Sequence, residues 1–262
     1  HGGDISHRWG CSDLLKACRP IEIEFKECWD QLYDADIPII SAYGNHDFEV
    51  AEGTGNADQW SVSEIAQSTQ LTDAINTRSN KFVERALQRS EHLGVSYTAF
   101  GPTGTIGQSM YRVLFRNLQI ALINCAANWG SYDKSGIYSS DVQFNELSAS
   151  LDRSMTTLFV EHYPILSLIS KSEDVVDLVG QWETGKAVHL SGHFHRALQY
   201  QYNGSDGNSF VDYVAPYPHT WPGNTPGFYA LLIDSAIGIL QVKKIDIPGL
   251  PDGTTCRIHI DC

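Results

Sequence analysis

Apolar and polar positions along this chain fall into two rhythms, one near the helical period and one alternating strictly, and they take turns. "SDLLKACRPIEIEFKECWDQLYDAD" reads as helical stretches interrupted near Pro20, and "IPIISAYG" as a short apolar strand running into a glycine turn. A polar stretch from Glu52 to about Ser61 reads as a loop. "SEIAQSTQLTDAINTRSNKFVERALQRSEHLG" is mostly helical, in two pieces, with Gly94 as its stop. Strand patterns follow in "VSYTAF", "MYRVLFR" and "LQIALINCA". Then come a helix in "SSDVQFNELSASLDR" capped by Ser140 or Asp141, a strand in "TTLFVEH", a helix in "SEDVVDLVGQWE" and a strand in "KAVHLSGH". The remainder is strands alone: "ALQYQYN", "SFVDYVAP", "GFYALLIDS" and "GILQVKKIDI".

Strand–helix alternation that gives way to an antiparallel run predicts an α/β fold with helices outside two sheets. There are no internal repeats and no low-complexity linker. With 262 residues, 42% of them hydrophobic, the chain has enough material for one large domain with a real core. A formal net charge of −13, with no cluster among the 18 Lys+Arg, speaks against a nucleic-acid-binding surface. No apolar run approaches the roughly 18 residues of a membrane span.

The six cysteines are Cys11, Cys18, Cys28, Cys125, Cys256 and Cys262. An even count with terminal clustering fits disulfides and a secreted, luminal or extracellular setting; six reduced thiols in a cytosolic protein is the plainer alternative. Cys11 and Cys18 on one continuous helix would lie about 10 Å apart at Cα, too far to bridge. Cys256 and Cys262 would close a short loop. "NGS" at Asn203 is a glycosylation acceptor pattern, which points to the same setting.

Four short blocks carry chemistry: "GGD" (Gly2–Asp4), "GNHD" (Gly44–Asp47), "EHYP" (Glu161–Pro164) and "GHFH" (Gly192–His195). Three of them follow a predicted strand, and strand ends are where α/β proteins gather their sites. On an extended segment His193 and His195 would face the same way about 7 Å apart, each able to hold one of two metal ions. Against that stands an ordinary pair of packed or surface histidines. "GNHD" supplies an amide oxygen (Asn45), a titratable imidazole (His46) and a carboxylate (Asp47) to orient it. A polar turn would account for Gly44 and Asn45 but not for His46 and Asp47. Asp4 would be costly to bury unless it met cations, and otherwise reads as a turn or capping residue. His162 alone is an unremarkable strand-end histidine. His189 shares its strand's alternation with His193 and reads as a packed residue.

In this order the blocks resemble the calcineurin-like metallophosphoesterase superfamily, over roughly Gly3 to His195. The resemblance implies a four-layer α/β/β/α sandwich of two mixed sheets flanked by helices. The whole of 1–262 would then be a single domain. It also implies hydrolysis of a phosphate mono- or diester by a dinuclear metal centre with a metal-bound hydroxide nucleophile. By motif, Asp4 would bridge the metals, with Asn45, His162 and His193 completing one site and His195 serving the other. His46, steered by Asp47, would stabilise the transition state or protonate the leaving oxygen. Two divalent ions are implied, and such ligands suit zinc, manganese or iron.

The family's first block, Asp-x-His, is not in this chain. It is expected on a strand upstream of His1, either cut off from a longer polypeptide or truly lost, and Cys262 as the last residue suggests truncation at that end as well. His7 stands where the purple acid phosphatase branch has a tyrosine ligand, so iron–tyrosinate chemistry is not expected. His7, with Tyr217, His219 and Trp221 of the loop "PYPHTWPGNTPG", would shape a substrate pocket, although a rigid loop explains that segment as well. The alternative function is a non-catalytic module of the same fold, holding one metal or none. A zinc amidase or protease lacks its His-Glu-x-x-His helix here.

Overall fold

The computed structural model describes residues 36–42, 87–100, 110–124, 140–168, 171–216, 227–234 and 236–247. In chain order these residues form β1 (Val95–Phe100), β2 (Met110–Phe115), β3 (Leu118–Leu122), α1 (Ser140–Ser150), β4 (Thr156–Val160), α2 (Ser172–Val179) and β5 (Ala187–Ser191). They continue through β6 (Leu198–Asn203), β7 (Ser209–Val214), β8 (Gly227–Asp234) and β9 (Gly238–Asp246).

Every position of β4 is buried, and in β5 every position but Leu190. Continuous burial marks strands covered on both faces, as parallel strands are. The main sheet is mixed and seven-stranded, in the order β1-β2-β3-β4-β5-β7-β6. β3, β4, β5 and β7 run parallel, while β1, β2 and β6 pair antiparallel at the two edges. The β3–β4 register is secured by a buried Gln119. Its Nε2 donates to Thr157 Oγ1 at 2.9 Å, and its Oε1 accepts from the Asp152 N–H at 3.1 Å.

Alternation divides the core between the two faces. Ile120, Leu122, Leu158, Val160 and Val188 join Val95, Tyr111 and Val113 on one side, where Leu231, Ile233 and Ile239 of the β8–β9 hairpin pack. Ala121, Ile123, Phe159 and Ala187 face α1 and α2 through Phe144, Leu147, Val175 and Leu178. Trp182 completes that side. Its ring meets Phe159 edge-on at 5.1 Å, and its Nε1–H donates to Met155 O at 3.0 Å. Both its apolar body and its polar tip are thereby satisfied. Mixed α/β is therefore what these residues show, with helices on one face of the sheet and a strand pair on the other.

Two expectations need correction. Residues 37–42, read as a strand, form none, although Ile39 and Ala42 are buried; Pro38 deprives that segment of a backbone donor. The strand in "LQIALINCA" stops at Leu122, well short of the apolar run. Gly94 acts as expected: its φ is 88°, and its N–H closes onto Glu91 O. Among the described residues no helix is long and apolar enough to cross a membrane.

Candidate functional site

β4, β5 and β7 are parallel, so their C-terminal ends share one rim of the sheet. Backbone bonds tie that rim together beyond the ladders. The Glu161 N–H donates to Leu190 O at 3.1 Å, the Gly192 N–H to His162 O at 2.9 Å and the Ala215 N–H to Ser191 O at 2.7 Å. The block "EHYP" is thus stitched to "GHFH".

The consequence is that His162 and His193 meet. His162 Nε2 lies 3.1 Å from His193 Nδ1, and the ring centroids are 5.0 Å apart. Tyr163 packs edge-on against both rings, at 5.1 Å from His162 and 4.5 Å from His193. His162 is only 2% exposed, while His193 and His195 are half-buried.

The segment carrying His193 and His195 is not extended, which corrects the spacing expected for them. Both have left-handed backbones, with φ of 67° and 58°. The Phe194 N–H turns back onto Gly192 O at 2.8 Å, closing a three-residue turn around His193. A left-handed non-glycine residue in such a turn is strained, by about 1–3 kcal/mol. Two of them, two and four positions past the end of β5, mark a loop whose shape is imposed by its surroundings.

Beneath the rim lies a group that sequence reasoning missed. His189 on β5, Glu161 after β4 and Asp212 on β7 are all wholly buried. His189 Nδ1 donates to Asp212 Oδ1 at 2.8 Å. Its Nε2 lies 2.8 Å from Glu161 Oε1, an ion-pair distance turned off the hydrogen-bond direction. Burial alone would push the His189 pKa down. The charges of Asp212 and Glu161 outweigh burial and lift it from 6.5 to about 10. Asp212 also accepts from Ser191 Oγ at 2.7 Å and from the Ile165 N–H at 3.1 Å, so one carboxylate links β5, β7 and the loop after His162. Tyr202 is pushed up to about 12, by burial first and the Asp212 charge second. The available signal was an acid at an inward position: Asp212 falls between buried Phe210 and Val214 in the β7 alternation.

Of the other expected site residues, Asp4, His7, Asn45, His46, Asp47, Tyr217, His219 and Trp221 lie outside the described residues, as do all six cysteines. Among the described residues no cluster of three or more His, Cys, Asp or Glu side chains is placed to hold a metal. His195 is therefore not gathered into a cluster with His162 and His193. No family model and no curated protein matches this chain.

Proposed function

We propose that this chain is a phosphoesterase domain of the calcineurin-like kind, hydrolysing a phosphate mono- or diester at a dinuclear metal centre on the β4–β5 rim. The observation that carries the reading is the approach of His162 Nε2 to within 3.1 Å of His193 Nδ1, from separate strands and 31 positions apart. Two imidazole nitrogens bound to one ion, each at about 2.0–2.1 Å, lie roughly 3 Å apart, so the pair fits a shared divalent cation. Both are neutral-nitrogen donors suited to zinc, manganese or iron.

In this reading His162 and His193 would hold one ion together with Asp4 and Asn45, and Asp4 and His195 would serve a second. The ions would supply Lewis acidity toward the phosphate oxygens and a water of lowered pKa. His46, oriented by Asp47, would stabilise the transition state or protonate the leaving oxygen. Tyr163 fixes the two imidazole planes, and the turn at Gly192–Phe194 fixes the side from which His193 reaches its partner. His7, Tyr217 and His219 border the substrate. The fold completes as the four-layer sandwich, and the protein works in a secreted or luminal setting.

The test is turnover of p-nitrophenyl phosphate and bis-p-nitrophenyl phosphate by protein supplied with Zn²⁺, Mn²⁺ or Fe²⁺. Metal-dependent hydrolysis, reduced at least about 100-fold in His162→Ala, is expected, since losing a ligand removes the charge stabilisation. Absence of turnover with every metal, in folded protein, would leave the non-catalytic module standing.

A further inference from the structure

Asn203-Gly204-Ser205 is the one Asn-x-Ser/Thr triplet in the chain, and its three residues occupy very different surroundings. Asn203 ends β6 opposite Ser209, on the outward-facing row with Gln199 and Gln201. Asn203 and Ser205 are exposed, while Gly204 between them is buried. Gly204 packs backbone to backbone on Gly180 at the end of α2, where any Cβ would fall on Gly180 Cα. Its N–H donates to Asn208 O at 2.9 Å, and its carbonyl accepts from the Gly207 N–H at 3.0 Å.

The middle residue is therefore dictated by packing, and the outer two are not. Asparagine is often placed in hairpin turns because it tolerates positive φ or caps the backbone with its side chain. Asn203 does neither. The positive φ of this turn belongs to Gly207, and no described residue hydrogen-bonds the Asn203 or Ser205 side chain. An exposed amide and an exposed hydroxyl two positions on, both unengaged at a hairpin tip, are the features an oligosaccharide transferase reads.

We infer that Asn203 is the attachment site of an N-linked oligosaccharide. The Asn203 amide nitrogen attacks the anomeric carbon of a lipid-pyrophosphate-linked sugar. A C–N bond forms, the C–O bond to pyrophosphate breaks with its electron pair, and one amide proton passes to a base of the transferase. β6 runs antiparallel to β7, so Asn203 lies at the end of the sheet opposite His162 and His193. The glycan stands clear of the candidate site, and this inference does not depend on the phosphoesterase reading.

The test is secretion of the full chain from a eukaryotic host, as wild type, Asn203→Gln and Ser205→Ala, with peptide mapping before and after peptide-N-glycosidase treatment. The wild type is expected to carry a glycan whose enzymatic removal leaves Asp at position 203, and both variants are expected to lack it. Thermal midpoints should be unchanged in Asn203→Gln, because the side chain it replaces holds nothing. Secreted, folded wild type with an unmodified Asn203 peptide would overturn the inference, as would a glycan that survives in Asn203→Gln.

Discussion

His189 Nδ1 sits 2.8 Å from Asp212 Oδ1 in a place from which solvent is wholly excluded, so the imidazole and the carboxylate stand or fall together. Asp212→Ala would leave the buried His189 with Glu161 as its one carboxylate neighbour among the described residues and free two further donors, Ser191 Oγ and the Ile165 N–H. The expected loss is about 3–5 kcal/mol of folding stability, read as a lower urea midpoint. Asp212→Asn keeps the shape and one acceptor, and should lose less.

The same pair makes stability depend on pH in a definite direction. The folded-state pKa of His189 is raised, from 6.5 to about 10. A raised pKa contributes stability that is full below the unfolded value and is lost as pH climbs through the folded one. Between about pH 6.5 and pH 10 the wild type should become easier to unfold. In His189→Gln that slope should flatten, which urea titrations at a series of pH values would reveal.

The left-handed backbone at His193 separates stability from binding. With φ at 67°, glycine relieves strain that alanine cannot. His193→Gly should unfold at higher urea than His193→Ala, by about 1 kcal/mol. Both should lose metal alike, as measured by calorimetric titration with Zn²⁺. Equal stabilities would mean that the turn relaxes when the imidazole is gone.

Gly204→Ala tests the contact between the β6–β7 turn and α2. The added methyl would meet Gly180 backbone, which has no flexible side chain to move aside. A loss of about 1–3 kcal/mol is expected from overpacking. Asn203 and Ser205 remain, so the variant should still accept a glycan.

Lys171 bridges Asp141 on α1 and Asp174 on α2, at 2.6 and 3.3 Å, yet all three side chains are partly exposed. Lys171→Met should change stability by no more than about 1 kcal/mol, since solvent screens such pairs.

The rhythm of the chain was enough to read β1 to β9 and both helices, because apolar runs and alternation bounded by glycine and polar clusters leave few choices. It was not enough for "GHFH". Histidine is enriched among the few non-glycine residues with left-handed backbone, but such residues are rare, so those letters alone do not announce the turn at His193. The buried Glu161–His189–Asp212 group was hidden for a topological reason. β7 lies next to β5 with β6 outside it, and a reader pairing strands in sequence would set β6 there and leave Asp212 one strand too far away. The meeting of His162 and His193 was legible only through the family resemblance, since 31 positions separate them.

The central claim is that the rim of β4 and β5 holds metal, and counting ions tests it most directly. Protein purified from its native source, never exposed to a chelator, should carry about two divalent ions per chain by elemental analysis. His162→Ala should lose at least one of them while staying folded. Wild-type protein with no bound metal would contradict the account.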